Sequence, residues 1–244
     1  MNELIDWITE SDNIVFFGGA GVSSESGIPD FRSNNGIYQK IEKYGGHPEE
    51  IISHTYFLKH PDIFYKFYIE EMIYPHAKPN PAHKALSVLE DMGKLRAVIT
   101  QNIDNLHQKA GSKEVLELHG SVERNNCMTC KHFYTLEEVL KRCKENYGIP
   151  VCDCGGLIKP DVVLYEEPLN PEVLEKSIAY ILDADVLIIG GTSLTVYPAA
   201  NLINYYNGEK LVLINHTPTP YDNRANLIIS QDIGVTLDNI IKKI

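Results

Sequence analysis

Two patterns alternate along this chain. Short, almost wholly apolar runs occur at Ile14–Phe17, Leu95–Thr100, Val115–Leu118, Val186–Ile189, Leu211–Ile214 and Leu227–Ile229. Between them lie amphipathic stretches with helical spacing, at residues 2–10, Pro81–Met92, Asn105–Ala110, Pro171–Leu182, Pro198–Asn207 and Ile233–Lys243. A strand that is apolar on both sides has no face to offer to water. Strands of this kind separated by helices predict a parallel sheet covered on both faces.

Two segments break the rhythm. Residues 36–76 carry nine aromatics, Tyr38, Tyr44, Tyr56, Phe57, Phe64, Tyr65, Phe67, Tyr68 and Tyr74, at helical rather than alternating spacing. Short helices broken at Pro48, Pro61 and Pro75 fit that pattern, with the aromatics forming core, a pocket wall, or both. Residues 121–158 form a second interruption and contain every cysteine of the chain.

The length of 244 residues allows one sizeable core, or one core with a small inserted module. No apolar run approaches the roughly 20 residues needed to span a bilayer. The opening segment MNELIDWITESDN is acidic and amphipathic, unlike a secretion signal, so a cytoplasmic protein is expected. The net charge of −11, without a Lys/Arg block, makes nucleic acid or an anionic membrane an unexpected partner. A basic peptide is electrostatically compatible, and the charge also serves solubility.

The cysteines narrow the chemistry. Cys127-x-x-Cys130 is followed, after 21 residues, by Cys152-x-Cys154. Two close pairs at that separation supply four thiolates to a tetrahedral ion, for which Zn²⁺ is the natural choice. Four thiolates leave no open position for water, so the metal is expected to be structural and to hold a module with little core of its own. Cys143 lies between the pairs and reads as a free thiol. An odd cysteine count argues against a disulfide framework.

Ligands of a doubly wound sheet bind beyond the carboxyl ends of its strands. The first strand runs into GAGVSSESGIPDFR at 19–32, where Gly19-x-Gly21-x-x-Ser24 is a partial dinucleotide fingerprint that lets backbone approach a phosphate. The strand at 95 delivers Thr100-Gln101-Asn102-Ile103-Asp104, and the strand at 115 delivers His119-Gly120. The strand at 186 delivers Gly190-Gly191-Thr192-Ser193, and the strand at 211 delivers Asn215. His119 is the candidate general base, because an imidazole titrates near neutrality. Asn102 and Asp104 are candidate site groups that also suit helix capping before Asn105. Thr192, Ser193 and Ser24 offer donors to phosphate, and Asn215 is placed for a ribose hydroxyl.

GAGVSSESGIPDFR, TQNID at 100–104, HG at 119–120, the four cysteines, GTSLTVYP at 191–198 and LIN at 213–215 resemble the sirtuins of bacterial type, NAD-dependent protein deacetylases, in order and over nearly the whole chain. The resemblance implies an α/β fold: a Rossmann-like doubly wound parallel sheet with an inserted small zinc-ribbon and helical domain. It divides the chain into an NAD-binding domain of 1–35, 79–120 and 159–244, a helical module of 36–78 and a zinc module of 121–158. It implies that NAD is a cleaved co-substrate, that zinc is structural, and that an acetyl-lysine protein or peptide binds in the cleft; a monomer is expected, although the sequence itself leaves the oligomeric state open. In the family the acyl oxygen attacks the ribose carbon bearing nicotinamide, and the HG histidine, here His119, deprotonates a ribose hydroxyl. The acyl group ends on ADP-ribose. By similarity Phe31 shields the reactive face, Ile103 and Asp104 hold the nicotinamide carboxamide, and Asn102 and Gln101 order the ribose and a water. Ala20, Ser24 and Arg32 lie along the cofactor, Thr192, Ser193 and Asn215 at its phosphate and adenosine end, and Asp232 and Ile233 over adenine. Val162, Val163 and Tyr165 belong to the stretch that pairs with substrate backbone by strand addition.

Two departures qualify the resemblance. Tyr165-Glu166-Glu167 replaces the eukaryote-like FGE pattern. Members that remove succinyl groups carry a Tyr-x-x-Arg pair, whereas the matching stretch here is Tyr65-Lys66-Phe67-Tyr68. Without a guanidinium to grip an acidic acyl group, acetyl or a longer apolar acyl is expected over succinyl. The competing readings are protein mono-ADP-ribosyl transfer from the same NAD site, an NAD-sensing module with a vestigial site, and a hydride-transfer dehydrogenase.

Overall fold

The computed structural model describes residues 2–30, 36–37, 43–44 and 47–244. In chain order the strands are β1 (Ile14–Gly18), β2 (Leu95–Thr100), β3 (Val115–Glu117), β4 (Gly120–Cys127), β5 (Phe133–Thr135), β6 (Ile158–Val162), β7 (Val186–Gly190), β8 (Leu211–Ile214) and β9 (Leu227–Ile229). The helices are α1 (Asn2–Glu10), α2 (Pro48–Ile51), α3 (His54–Lys59), α4 (Pro61–Phe67), α5 (Pro81–Asp91), α6 (Leu106–Ala110), α7 (Leu136–Glu145), α8 (Pro171–Asp183) and α9 (Ile233–Ile241). Among the described residues no helix is long and apolar enough to cross a membrane.

Six strands form a parallel sheet in the order β3-β2-β1-β7-β8-β9. The chain builds outward from β1 in one direction and from β7 in the other, so the order reverses between them. That is the Rossmann arrangement, and the reversal opens a crevice at the carboxyl ends of β1 and β7. There Gly18 lies opposite Gly190. Alternate residues of each strand serve opposite cores. Ile14 and Phe16 face one layer with Leu4, Leu86 and Leu237 from α1, α5 and α9. Val15 and Phe17 face the other with Ile181 of α8 and with Leu202 and Ile203. The stretch expected as a helix at 198–207 is a run of 3-10 turns over Ala199–Tyr205.

A second, antiparallel sheet has the order β5-β4-β6. The aromatic run resolves into core: Phe57, Phe64, Tyr65 and Tyr68 of α3, α4 and the following π-helical turn pack with Val122, Tyr134, Val139, Ile158 and Val162 of the small sheet and α7. The helical and cysteine-bearing segments therefore share one apolar interior. The extended stretch expected over Val162–Tyr165 ends as a strand at Val162.

Candidate active site

The glycine loop leaves β1 through two 3-10 turns, Ala20–Val22 and Ser24–Ser26, and closes at Gly27 with φ 82°. Its glycines have a physical reason beyond phosphate approach. The Gly21 amide donates to the Gly191 carbonyl at 2.8 Å, and a Cβ on Gly21 would lie 2.7 Å from the Gly191 Cα. Missing side chains let the loops after β1 and β7 touch backbone to backbone. Ala20 is half-buried and Ser24 exposed in this loop. Phe31 and Arg32 lie outside the described residues.

Ser23 sits at the centre of a buried polar cluster, and only 1% of it is exposed. Its hydroxyl donates to Asp104 Oδ2 at 2.6 Å and accepts from Asn102 Nδ2 at 3.1 Å. The second Asp104 oxygen accepts from the Leu106 amide at 2.9 Å. Asp104 thus does both things its position allows: it caps the turn into α6 and joins the site. Burial pushes its carboxyl above the ordinary aspartate range, with the Ser23 bond opposing. The Asn102 amide donates to Thr100 Oγ1 at 3.0 Å, and the Ile103 carbonyl accepts from the Val122 amide at 3.0 Å. Behind Ser23 stands His83, whose Nδ1 accepts from the Asn80 amide in a capping box that starts α5. Burial holds His83 down to about 4 and places the neighbouring His107, rings 4.7 Å apart, well below the ordinary histidine value.

His119 is half-buried at the junction of the two sheets. Its Nδ1 lies 2.9 Å from the Gln101 carbonyl oxygen. A carbonyl only accepts, so Nδ1 carries the proton and Nε2 keeps its lone pair. Burial lowers its pKa, keeping the ring neutral and basic below the usual histidine range, although the Gln101 contact pulls the other way. The Gln101 side chain reaches across to Thr192 Oγ1 at 3.0 Å. One residue thus ties the His119 loop to the loop after β7. Gly120 follows with φ 74°, and a Cβ there would overlap the Asp161 carbonyl.

At the other side of the crevice Asn215 holds Thr192 by both backbone groups. Its Oδ1 accepts from the Thr192 amide at 3.0 Å, and its Nδ2 donates to the Thr192 carbonyl at 2.9 Å. The carboxamide expected to meet a ribose is thus first a brace for the loop. Ser193 is exposed, with its hydroxyl 2.8 Å from that of Thr195. Asp232 bonds His216 at 2.6 Å, and Ile233 is buried at the start of α9, close above Gly190. Glu25 accepts from the Gly234 amide at 2.8 Å, capping α9 from the glycine loop. Sequence reasoning missed Ser23 and Glu25. Nothing in GVSSES marks which of two adjacent hydroxyls turns inward; the 3-10 turn decides it.

Val162 is buried, Val163 and Tyr165 half-buried. The amides of Val163, Leu164 and Tyr165 donate to His119 O, Glu167 Oε2 and Ile52 O respectively. The carbonyls of Val162, Leu164 and Tyr165 accept in turn from Lys159 Nζ and from the Glu167 and His54 amides, each at 3.0 Å.

Cys127, Cys130, Cys152 and Cys154 bring their sulfurs within 4.8 Å of one another, with Cys127–Cys154 and Cys130–Cys152 each at 3.5 Å. Zn–S bonds of about 2.3 Å in a tetrahedron put sulfurs about 3.8 Å apart, so the set fits a closed zinc site. Cys143 stands apart in the apolar interior, where burial pushes its thiol up to about 11.

Sheet order and loop placement define a dinucleotide-binding α/β protein with an attached four-cysteine module. The Sir2 family model matches residues 19–198. An NAD-dependent protein deacetylase of Clostridium tetani is 56% identical over 242 residues, spanning 99% of this chain and 97% of that protein. One of Thermotoga maritima is 44% identical, over 96% of this chain and 94% of its own. A solved structure described as Sir2-p53 peptide-NAD+ superposes with a TM-score of 0.88 at 40% identity, covering 100% of this chain and 98% of that one. Another, of Sir2 with a deacetylated p53 peptide and 3'-O-acetyl ADP ribose, has a TM-score of 0.92 at 41% identity, with the same coverage. The chain belongs to the Sir2 family.

Proposed function

We propose that this chain is an NAD-dependent protein-lysine deacetylase that takes acetyl-lysine proteins or peptides and leaves the acetyl group on ADP-ribose. The observation that carries the reading is His119, with Nδ1 held by Gln101 and the Nε2 lone pair thereby left basic, at the join of the two sheets. The relatives named as deacetylases and the Sir2 structures with NAD and p53 peptide support it. Bound NAD supplies a glycosidic bond to a good leaving group, nicotinamide.

The chain's residues do the rest. His119 Nε2 takes a proton from a ribose hydroxyl. Asn102 works beside it and orders the ribose with Gln101. Ile103 and Asp104, the latter held by Ser23, bind the carboxamide in a pocket from which water is excluded, so that a weak amide nucleophile competes. Ala20, Ser24, Phe31 and Arg32 line the cofactor. Thr192, Ser193 and Asn215 serve its phosphate and adenosine end, with Asp232 and Ile233 beyond. Val162, Val163 and Tyr165 receive the peptide.

In this reading residues 1–35, 79–120 and 159–244 bind NAD, while 36–78 and 121–158 wall the cleft. Zinc held by the four thiolates is structural. We place the protein in the cytoplasm, where reduced thiolates persist. Acetyl is preferred to succinyl. Tyr65 and Tyr68 are buried, and the Tyr65 hydroxyl donates to the Ile158 carbonyl, so neither is offered to an acyl carboxylate. The test is nicotinamide release from NAD with and without an acetyl-lysine peptide. Peptide-dependent release is expected; release that ignores the peptide would overturn the reading.

A further inference from the structure

Where the chain passes from the large sheet to the small one, β4 is irregular. Ser121 lies opposite Asp161 and Asn125 opposite Pro160, so residues 122–124 bulge out against two consecutive residues of β6. The bulge turns the Val122 amide to the Ile103 carbonyl, 3.0 Å away. A bulge re-aims backbone in this way at the cost of ladder bonds, and needs holding.

Arg124 holds it. Its Nε donates to Asp161 Oδ2 at 2.7 Å on β6, and its Nη1 to Glu117 Oε2 at 2.6 Å on β3. The other Glu117 oxygen accepts from Gln108 Nε2 of α6 at 2.9 Å. Lys109 of α6 pairs with Glu123 in the bulge at 3.2 Å. The Glu117 side chain is only 8% exposed, so removing Arg124 would leave a buried carboxylate short of a donor. One guanidinium thus spans the edge of the large sheet and two positions of the small one, next to His119 and Gly120, with one N–H to each carboxylate in the fixed fork geometry of the planar group.

We infer that Arg124 is a positioning residue: by clasping β3, the β4 bulge and β6, it holds the Ile103 carbonyl on Val122 and so sets how the site grips nicotinamide. Arg124 touches no reacting group. The inference rests on the proposed role of Ile103, but its structural half stands apart from any activity.

The test uses the full-length, zinc-loaded chain with Arg124→Met, Arg124→Lys and, as a milder single-arm variant, Asp161→Asn. Amide hydrogen exchange is read at Val122, and nicotinamide inhibition, KM for NAD and KM for an acetyl-lysine peptide are measured. With Arg124→Met, Val122 exchange should accelerate about tenfold while Asn126 in the paired part of β4 is unchanged. KM for NAD and the nicotinamide inhibition constant should each rise about fivefold, against less than twofold for the peptide KM. Arg124→Lys and Asp161→Asn should fall between. At 0.5 M KCl the wild type should shift part of the way toward Arg124→Met, which should itself move little, because salt screens the half-exposed Asp161 arm.

Unchanged Val122 exchange would overturn the clasp. Faster exchange with unchanged nicotinamide and NAD parameters would overturn its link to the site, and a uniform loss in every parameter together with zinc content would reduce Arg124 to a structural residue. If Arg124→Met does not fold, Asp161→Asn alone decides by the same criteria. Failure of the deacetylase reading would show separately, as a wild type that releases no nicotinamide.

Discussion

The two sheets are held together by different means. The large one stands on burial: β1, β7 and β8 are buried at every position, and both faces are closed by apolar helix surfaces. The small one has strands of eight, three and five residues, and gains order from two additions, the four-sulfur cluster and the aromatics of α3 and α4. The difference teaches where function can sit. A rigid sheet presents fixed loop ends. A separately stapled module stands against it, and His119 lies in the turn between β3 and β4 where the chain passes from one sheet to the other.

The sharpest way to break that comparison is to remove the metal. Structural zinc contributes on the order of 10 kcal/mol or more to small modules. Cys127→Ala or strong chelation should therefore melt the small module well below the large sheet, giving two calorimetric transitions and less than about half an equivalent of bound zinc. A single unshifted transition would mean the small sheet stands without metal.

His119→Ala comes next. Loss of a general base costs about 10²–10⁴-fold. Deacetylation should fall by at least about 100-fold, with the melting temperature of both parts retained, because the half-buried side chain gives up one hydrogen bond, to Gln101, among the described residues.

A smaller effect sharpens the account of the large sheet. His83 is neutral in the fold, with its pKa held down to about 4 against an ordinary 6.5. Below pH 6.5 the unfolded chain takes up a proton that the folded one refuses. Stability is therefore lost as pH falls from 6.5 toward 4, by roughly 3 kcal/mol in all. His83→Gln should flatten that part of a pH series of urea midpoints; an unchanged slope would place the acid sensitivity elsewhere.

Last, kcat/KM for a succinyl-lysine peptide should be at least about tenfold below that for the acetyl peptide, since Tyr65 and Tyr68 are committed to the shared core. The reverse order would show that a cation reaches the acyl group.

The large sheet was legible because its central strands, buried on both faces, must be apolar throughout, a pattern that β4, β5 and β6 lack. The zinc set was legible from spacing. Residues 121–158 yielded less. Thr135-x-x-Glu138 forms a capping box, and Leu136, Val139 and Cys143 are buried on one face of α7, so a helix was there to be read. The cysteine spacing by itself predicts a zinc-held module at 121–158 and does not mark that helix. β4, GSVERNNC, has no alternating pattern because its bulge shifts the register halfway along. At the site, His119, Gln101, Asn102 and Asp104 could be placed because strand ends point to the crevice. Ser23 and the Glu25 cap of α9 could not, since one depends on a 3-10 turn and the other on a contact 209 residues away.

The most direct measurement is mass spectrometry of the products formed from NAD and an acetyl-lysine peptide by the zinc-loaded chain. The account predicts deacetylated peptide, nicotinamide and acetylated ADP-ribose in equal amounts. Deacetylated peptide accompanied by free acetate with NAD intact, or ADP-ribose attached to the peptide, would contradict it.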